Sequence, residues 1–143
     1  MIIKSFEFKK IDIKKYNLYL FYGENEGQKK ELIENKFKIF FKNKTYNYEE
    51  NYLLNNEKEF FDTILTKSFF DNEKLIIISG VTNKLLDIIN QVLEKNIEDT
   101  FIILVSDKLE KKTKLRNLFE KEKNLICVPF YTDNFQSLSY IAK

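Results

Sequence analysis

Apolar residues fall along this chain in two rhythms. Unbroken runs at Leu18 to Tyr22, Leu75 to Ile78, Phe101 to Val105 and Leu125 to Val128 have the pattern of strands buried on both faces. Between them, apolar residues recur every three or four positions, as on one side of a helix. Gly27 to Lys42 carries Leu32, Ile33, Phe37, Phe40 and Phe41 in this way. A helix capped by Thr82 carries Leu85, Leu86, Ile89, Val92 and Leu93, and Lys111 to Lys123 carries Leu115, Leu118 and Phe119. Asn56 to Thr66 reads as a short helix, with Asn56 as its cap and Glu59 at the reciprocal capping-box position. A weaker, tyrosine-rich strand lies within Lys44 to Leu54. Pro129 is expected to stop the last strand, and Thr132 or Asp133 to start a final helix with Phe135, Leu138 and Ile141. Residues 1–17 are expected to add a strand or helix to the core.

Strands that alternate with helices at this spacing predict an α/β fold. Its five strands form a parallel sheet with helices on both faces, three layers in all, joined by right-handed crossovers. A ligand would sit at the C-terminal ends of the strands.

The length of 143 residues suits a single domain over 1–143. The sequence stops inside or just after an expected helix, which suggests a fragment of a longer protein. Basic and acidic side chains number 24 and 22, intermixed, so no basic stripe argues for nucleic acid. There is no histidine, which excludes a histidine-based triad and a histidine metal site. The one cysteine, Cys127, lies in an apolar run and reads as a core thiol. No cofactor or metal is expected. No stretch resembles a signal peptide or a membrane span, and a cytoplasmic location is expected.

Leu18 to Lys30 reads as strand, glycine-containing turn and helix start, where a nucleotide-binding protein carries its phosphate loop. The pattern G-x-x-x-x-G-K-[ST] is degenerate here. Only three residues separate Gly23 from Gly27, Gln28 precedes Lys29, and Lys30 stands where a hydroxyl would hold Mg²⁺. Hydrolysis also needs an acid beside the metal, but the strand Leu75 to Ile78 ends in Ser79 and Gly80. Asp107 is either a lone acid at a strand edge or a helix cap. No catalytic residue is expected. The loop Gly23, Gly27 and Lys29 is a non-functional relic in this reading, and the chain is a mechanical or scaffolding subunit.

Ser68-Phe69-Phe70-Asp71-Asn72 connects an expected helix to an expected strand. Adjacent aromatics on a helix point about 100° apart and do not share one core. Exposed aromatics on a projecting turn mark a partner site. The plainer alternative is ordinary core, since Phe60 and Phe61 form a second such pair.

Taken in order, these segments resemble the N-terminal domain of the delta subunit of bacterial DNA polymerase III, part of the clamp loader. The likeness runs from Leu18 onward. It rests on Leu18-Tyr-Leu-Phe-Tyr-Gly, on Ser68-Phe-Phe before a charged turn and Lys74-Leu-Ile-Ile-Ile, and on Phe101-Ile-Ile-Leu-Val-Ser. It rests most on Lys111-Lys-Thr-Lys-Leu-Arg-Asn-Leu-Phe-Glu-Lys followed by Cys127-Val-Pro-Phe-Tyr-Thr-Asp, which looks like the alphaproteobacterial form. The resemblance implies an AAA+-like core with an inactive nucleotide site, and no catalysis by this subunit of the DNA-directed DNA polymerase (nucleotidyltransferase) holoenzyme. It implies that the domain binds the sliding clamp (the beta subunit) and opens its ring for loading on primed DNA. Ser68, Phe69 and Phe70 map to the clamp-binding position, where the family often has leucine first. The lid and collar domains, which would join the other loader subunits, are not in this sequence. DNA would be met only within the assembled complex. Two other readings stay open on the residues alone: a divergent P-loop ATPase using Lys29, and a DNA-binding module using the lysine-rich helix Lys108 to Lys123.

Overall fold

The computed structural model describes residues 1–41, 44–65, 73–95, 97 and 99–130. The five expected strands are β1 (Leu18–Gly23), β2 (Thr45–Glu49), β3 (Lys74–Ser79), β4 (Thr100–Ser106) and β5 (Leu125–Phe130). They form one sheet in the order β2-β3-β4-β1-β5, with every pairing parallel. The helices are α1 (Glu26–Leu32), α2 (Glu50–Asn55), α3 (Glu57–Leu65), α4 (Leu86–Lys95) and α5 (Lys114–Lys121).

The strand period of two divides the core between the sheet's faces. Leu20, Ile76, Ile78, Ile102, Leu104 and Cys127 face α2 to α5, where Leu53, Phe60, Ile89 and Phe119 cover them. Tyr19, Phe21, Ile77, Ile103 and Val128 face the other way, against Ile33, Phe37 and the N-terminal Phe8 and Ile13. Neither face of the central strands meets water, which is why those strands read as continuous apolar runs.

The expected helix over Gly27 to Lys42 is instead α1 followed by a π-helical segment, Ile33–Lys38. Ile33, Phe37 and Phe41 are buried at four-residue spacing, whereas Phe40 is 62% exposed. A π turn holds more residues than an α turn, so the position seven after Ile33 rotates off the core face. Leu93 likewise lies outside the buried stripe of α4, which is completed by Ile88. The helix expected from Asn56 forms as α3, directly after a separate helix, α2. Asn56 breaks them apart and donates its side-chain amide to the Tyr52 carbonyl at 2.8 Å, while Glu59 accepts from the Tyr52 hydroxyl at 2.6 Å. There is no capping box at that position. Thr82 does cap, accepting from Lys84 N at 3.2 Å.

Pro129 does not end β5, which runs on to Phe130 opposite Gly23. Proline is tolerated because β5 is an edge strand. The N-terminal segment pairs with the outer side of that edge. Ile3 N donates to Cys127 O and Cys127 N donates to Met1 O, each at 2.9 Å. The Met1 ammonium donates to the carbonyls of Phe119, Glu122 and Leu125, and burial holds its pKa below the ordinary value. Residues 4–15 then fold as two 3₁₀ turns, Ser5–Lys10 and Ile13–Lys15, that deliver Phe8 and Ile13 to the core. The expected helix after Thr132 lies outside the described residues.

Candidate functional site

The chain path fixes where a ligand crevice would lie. From β1 the connection through α1 runs on one face of the sheet toward β2. From β4 the connection through α5 runs on the other face toward β5. The loops after β1 and β4 therefore part at the C-terminal ends of two neighbouring strands, the switch point at which open α/β sheets take ligands. Gly23 ends β1 and Ser106 ends β4. The two loops are tied by Gly23 N donating to Asp107 O at 2.8 Å.

Lys29 occupies this crevice. Its side chain turns back from α1, and the residue is 1% exposed. The ammonium donates to Gly23 O at 2.8 Å, Ser106 O at 3.0 Å and Glu26 Oε1 at 2.7 Å, with Asp107 Oδ1 at 3.8 Å. An ammonium has three donors, and the two strand-end carbonyls and the Glu26 carboxylate use all three. A lysine that serves a nucleotide projects toward phosphate oxygens; this one is spent on backbone oxygens beneath the loop. The rim carries Glu24, Glu26 and Asp107, with Lys108 paired to Glu24 at 2.7 Å. That carboxylate holds the Lys108 pKa above its ordinary value. The charges around the crevice are thus weighted against a polyphosphate.

The two glycines of the loop differ. Gly23 has φ +124°, and a Cβ there would stand 1.8 Å from Phe130 O. Gly27 has only Asn25 Oδ1 near it, at 3.8 Å, so nothing in its surroundings requires glycine. Asn25 caps α1 by accepting from Gln28 N at 3.0 Å, which occupies a backbone donor that a phosphate would otherwise use.

Asp107 caps no helix. Its side chain is 86% exposed, and α5 begins seven residues later at Lys114. The β4–α5 loop is held by Arg116, which donates to Leu109 O at 2.6 Å and Glu120 Oε2 at 2.8 Å and lies 4.5 Å over the Tyr22 ring. Sequence reasoning missed Glu26 and Glu50. Glu26 stands three residues before Lys29 on one helix, a spacing that does signal a pair. Glu50 is buried, and both its oxygens hold Thr82; no local pattern announces a partner thirty-two residues away. Ser68, Phe69 and Phe70 lie outside the described residues. Among the described residues no group of acids and cysteine is placed to hold a metal, and no helix is long and apolar enough to cross a membrane.

The sheet and its crevice define a parallel α/β domain whose strand-end crevice is closed by its own lysine. The family model described as "DNA polymerase III, delta subunit" matches residues 19–129, and the chain belongs to that family. Among solved structures it is similar to the DNA clamp loader delta protein of Bacillus subtilis, with a TM-score of 0.62 and 16% identity. That match covers 89% of this chain and 42% of the other, and it shows that the two share the parallel α/β fold. Comparison with curated proteins by sequence gave no match.

Proposed function

We propose that this domain binds the ring-shaped sliding clamp and opens it for loading onto primed DNA, with Phe69 and Phe70 as the contact and Ser68 beside them. The observation that carries the proposal is the family match over residues 19–129. The filled crevice supports it: a subunit whose strand ends are closed by Lys29 works without a nucleotide of its own. It acts within the polymerase (nucleotidyltransferase) holoenzyme in the cytoplasm, beside the other clamp-loader subunits.

The energetics are adequate for such a task. Two phenylalanines entering an apolar pocket contribute roughly 3–6 kcal/mol before ordering costs. That contact opens a ring only through a difference in affinity between open and closed geometries. The pair must therefore grip the clamp near a protomer interface, in a shape the closed ring does not offer.

Surface plasmon resonance of the chain against the sliding clamp of its own organism tests this. Saturable binding that Phe69→Ala/Phe70→Ala loses is the expected result. Equal binding by the double variant would overturn the assignment of the pair, and no binding by folded wild-type chain would overturn the function.

A further inference from the structure

β2 is the other edge of the sheet, and its residues are unusual for an edge: Thr45, Tyr46, Asn47, Tyr48, Glu49. The ladder with β3 fixes which backbone groups are already used. Leu75 N donates to Lys44 O at 2.9 Å, and Thr45 is in register with Leu75. In a parallel ladder alternate residues turn their N–H and C=O to the same neighbour, so Lys44, Tyr46 and Tyr48 face β3. Thr45, Asn47 and Glu49 turn theirs outward, and among the described residues no strand pairs with that side.

Beside this free edge lies an open cleft of about 430 Å³ lined by Tyr46, Asn47, Tyr48, Glu49, Tyr52 and Glu59. Tyr46 and Tyr52 are 43% and 48% exposed. The cleft is structured. Tyr52 stacks on Tyr48 with ring centroids 6.1 Å apart, Tyr48 meets Phe60 edge-on, and Glu59 holds the Tyr52 hydroxyl at 2.6 Å. Two glutamates and three tyrosines line it and, among the described residues, no lysine or arginine does.

We infer that the outer edge of β2 takes an extended, lysine- or arginine-bearing segment of a partner protein as a sixth strand. The outward N–H and C=O groups of Asn47 and Glu49 supply the pairing of strand addition. Glu49 and Glu59 select cationic side chains on the two faces of the added strand, and the tyrosine rings attract cations beside Glu59. Single-stranded nucleic acid could use the rings for stacking, but its phosphates would meet both carboxylates. A second copy of the chain would set those carboxylates against themselves.

The test is an NMR titration of the full chain with a short peptide alternating lysine and valine, beside a glutamate-for-lysine peptide and oligo-dT. The lysine peptide is expected to shift the Asn47 and Glu49 amides and slow their exchange, while the two anionic probes leave β2 unmoved. Asn47→Pro removes an outward N–H that β3 does not use, and is expected to weaken the peptide at least tenfold with the circular dichroism melt unchanged. Glu49→Lys/Glu59→Lys is expected to do the same. Shifts that miss β2, binding that survives both β2 variants, binding of oligo-dT at the tyrosines, or self-association through β2 would each overturn the inference.

Discussion

Glu50 grips Thr82 with both carboxylate oxygens, taking the hydroxyl at 2.8 Å and the backbone N–H at 2.6 Å. Glu50 begins α2, just after β2, and Thr82 precedes the 3₁₀ turn that leads into α4. One buried side chain therefore fastens the elements that follow two neighbouring strands. Glu50→Ala should cost about 2–4 kcal/mol, since both Thr82 donors lose a charged acceptor. Thr82→Ser should be nearly silent because it keeps both. Urea denaturation of the three proteins checks this, and equal midpoints would remove the clasp from the account.

Lys29→Met keeps the length and much of the volume of the side chain but withdraws the ammonium from Gly23 O, Ser106 O and Glu26. Two buried strand-end carbonyls then lack a donor, at a cost of about 2–4 kcal/mol. Isothermal titration with Mg²⁺-ATP should show no heat of binding for either protein. A wild-type chain that binds nucleotide would show that Lys29 leaves its carbonyls when phosphate arrives.

Burial pushes the Cys127 thiol up to about 12 from the ordinary 9.0, with the Glu120 charge acting in the same direction. Tyr19, buried with its hydroxyl donating to Ile13 O, is shifted upward too. A group whose pKa is higher in the folded chain adds stability that is complete below its unfolded value and is lost as pH rises through the folded one. Stability should accordingly fall between pH 9 and 12, and Cys127→Ala should remove part of that slope. At pH 8 a thiol reagent should label Cys127 at the rate of unfolding. Fast labelling of folded protein would contradict its burial.

Gly23→Ala should be among the most damaging single changes. The added methyl meets the Phe130 carbonyl, and the backbone at φ +124° suits only glycine. Gly27→Ala, whose methyl would meet only Asn25 Oδ1 at an ordinary 3.8 Å, should hold or slightly raise stability, because alanine favours the helix. Thermal melts of the pair separate a steric glycine from a dispensable one, and equal damage by both would refute the distinction.

The sheet was legible because parallel strands covered on both faces leave unbroken apolar runs, and Leu18 to Tyr22 or Leu75 to Ile78 have no other economical reading. Helix detail was less so. Phe40 keeps α-helical spacing in sequence but leaves the core through a change of helix type that no residue there announces. Pro129 reads as a stop unless the strand is known to be an edge, which is a property of the whole sheet. The crevice was legible in position but not in occupancy. Lys29 has one spelling whether it reaches for phosphate or turns back to Gly23 and Ser106, and only the loop path decides. Glu50 and Thr82, like Tyr46 and Tyr52, gain their meaning from contacts between separate elements.

The strand order has a consequence for how the chain is made. β1 leaves the ribosome first, yet its neighbours are β4 and β5, with Leu18 opposite Ile102 and Leu125. Synthesis runs from the N-terminus, so the apolar face and both edges of β1 wait until most of the domain has emerged. Meanwhile β2, β3 and β4 complete their pairings in the order of their synthesis. The nascent domain therefore gathers from its middle, and its first strand is inserted late, between a neighbour already folded and one just arriving.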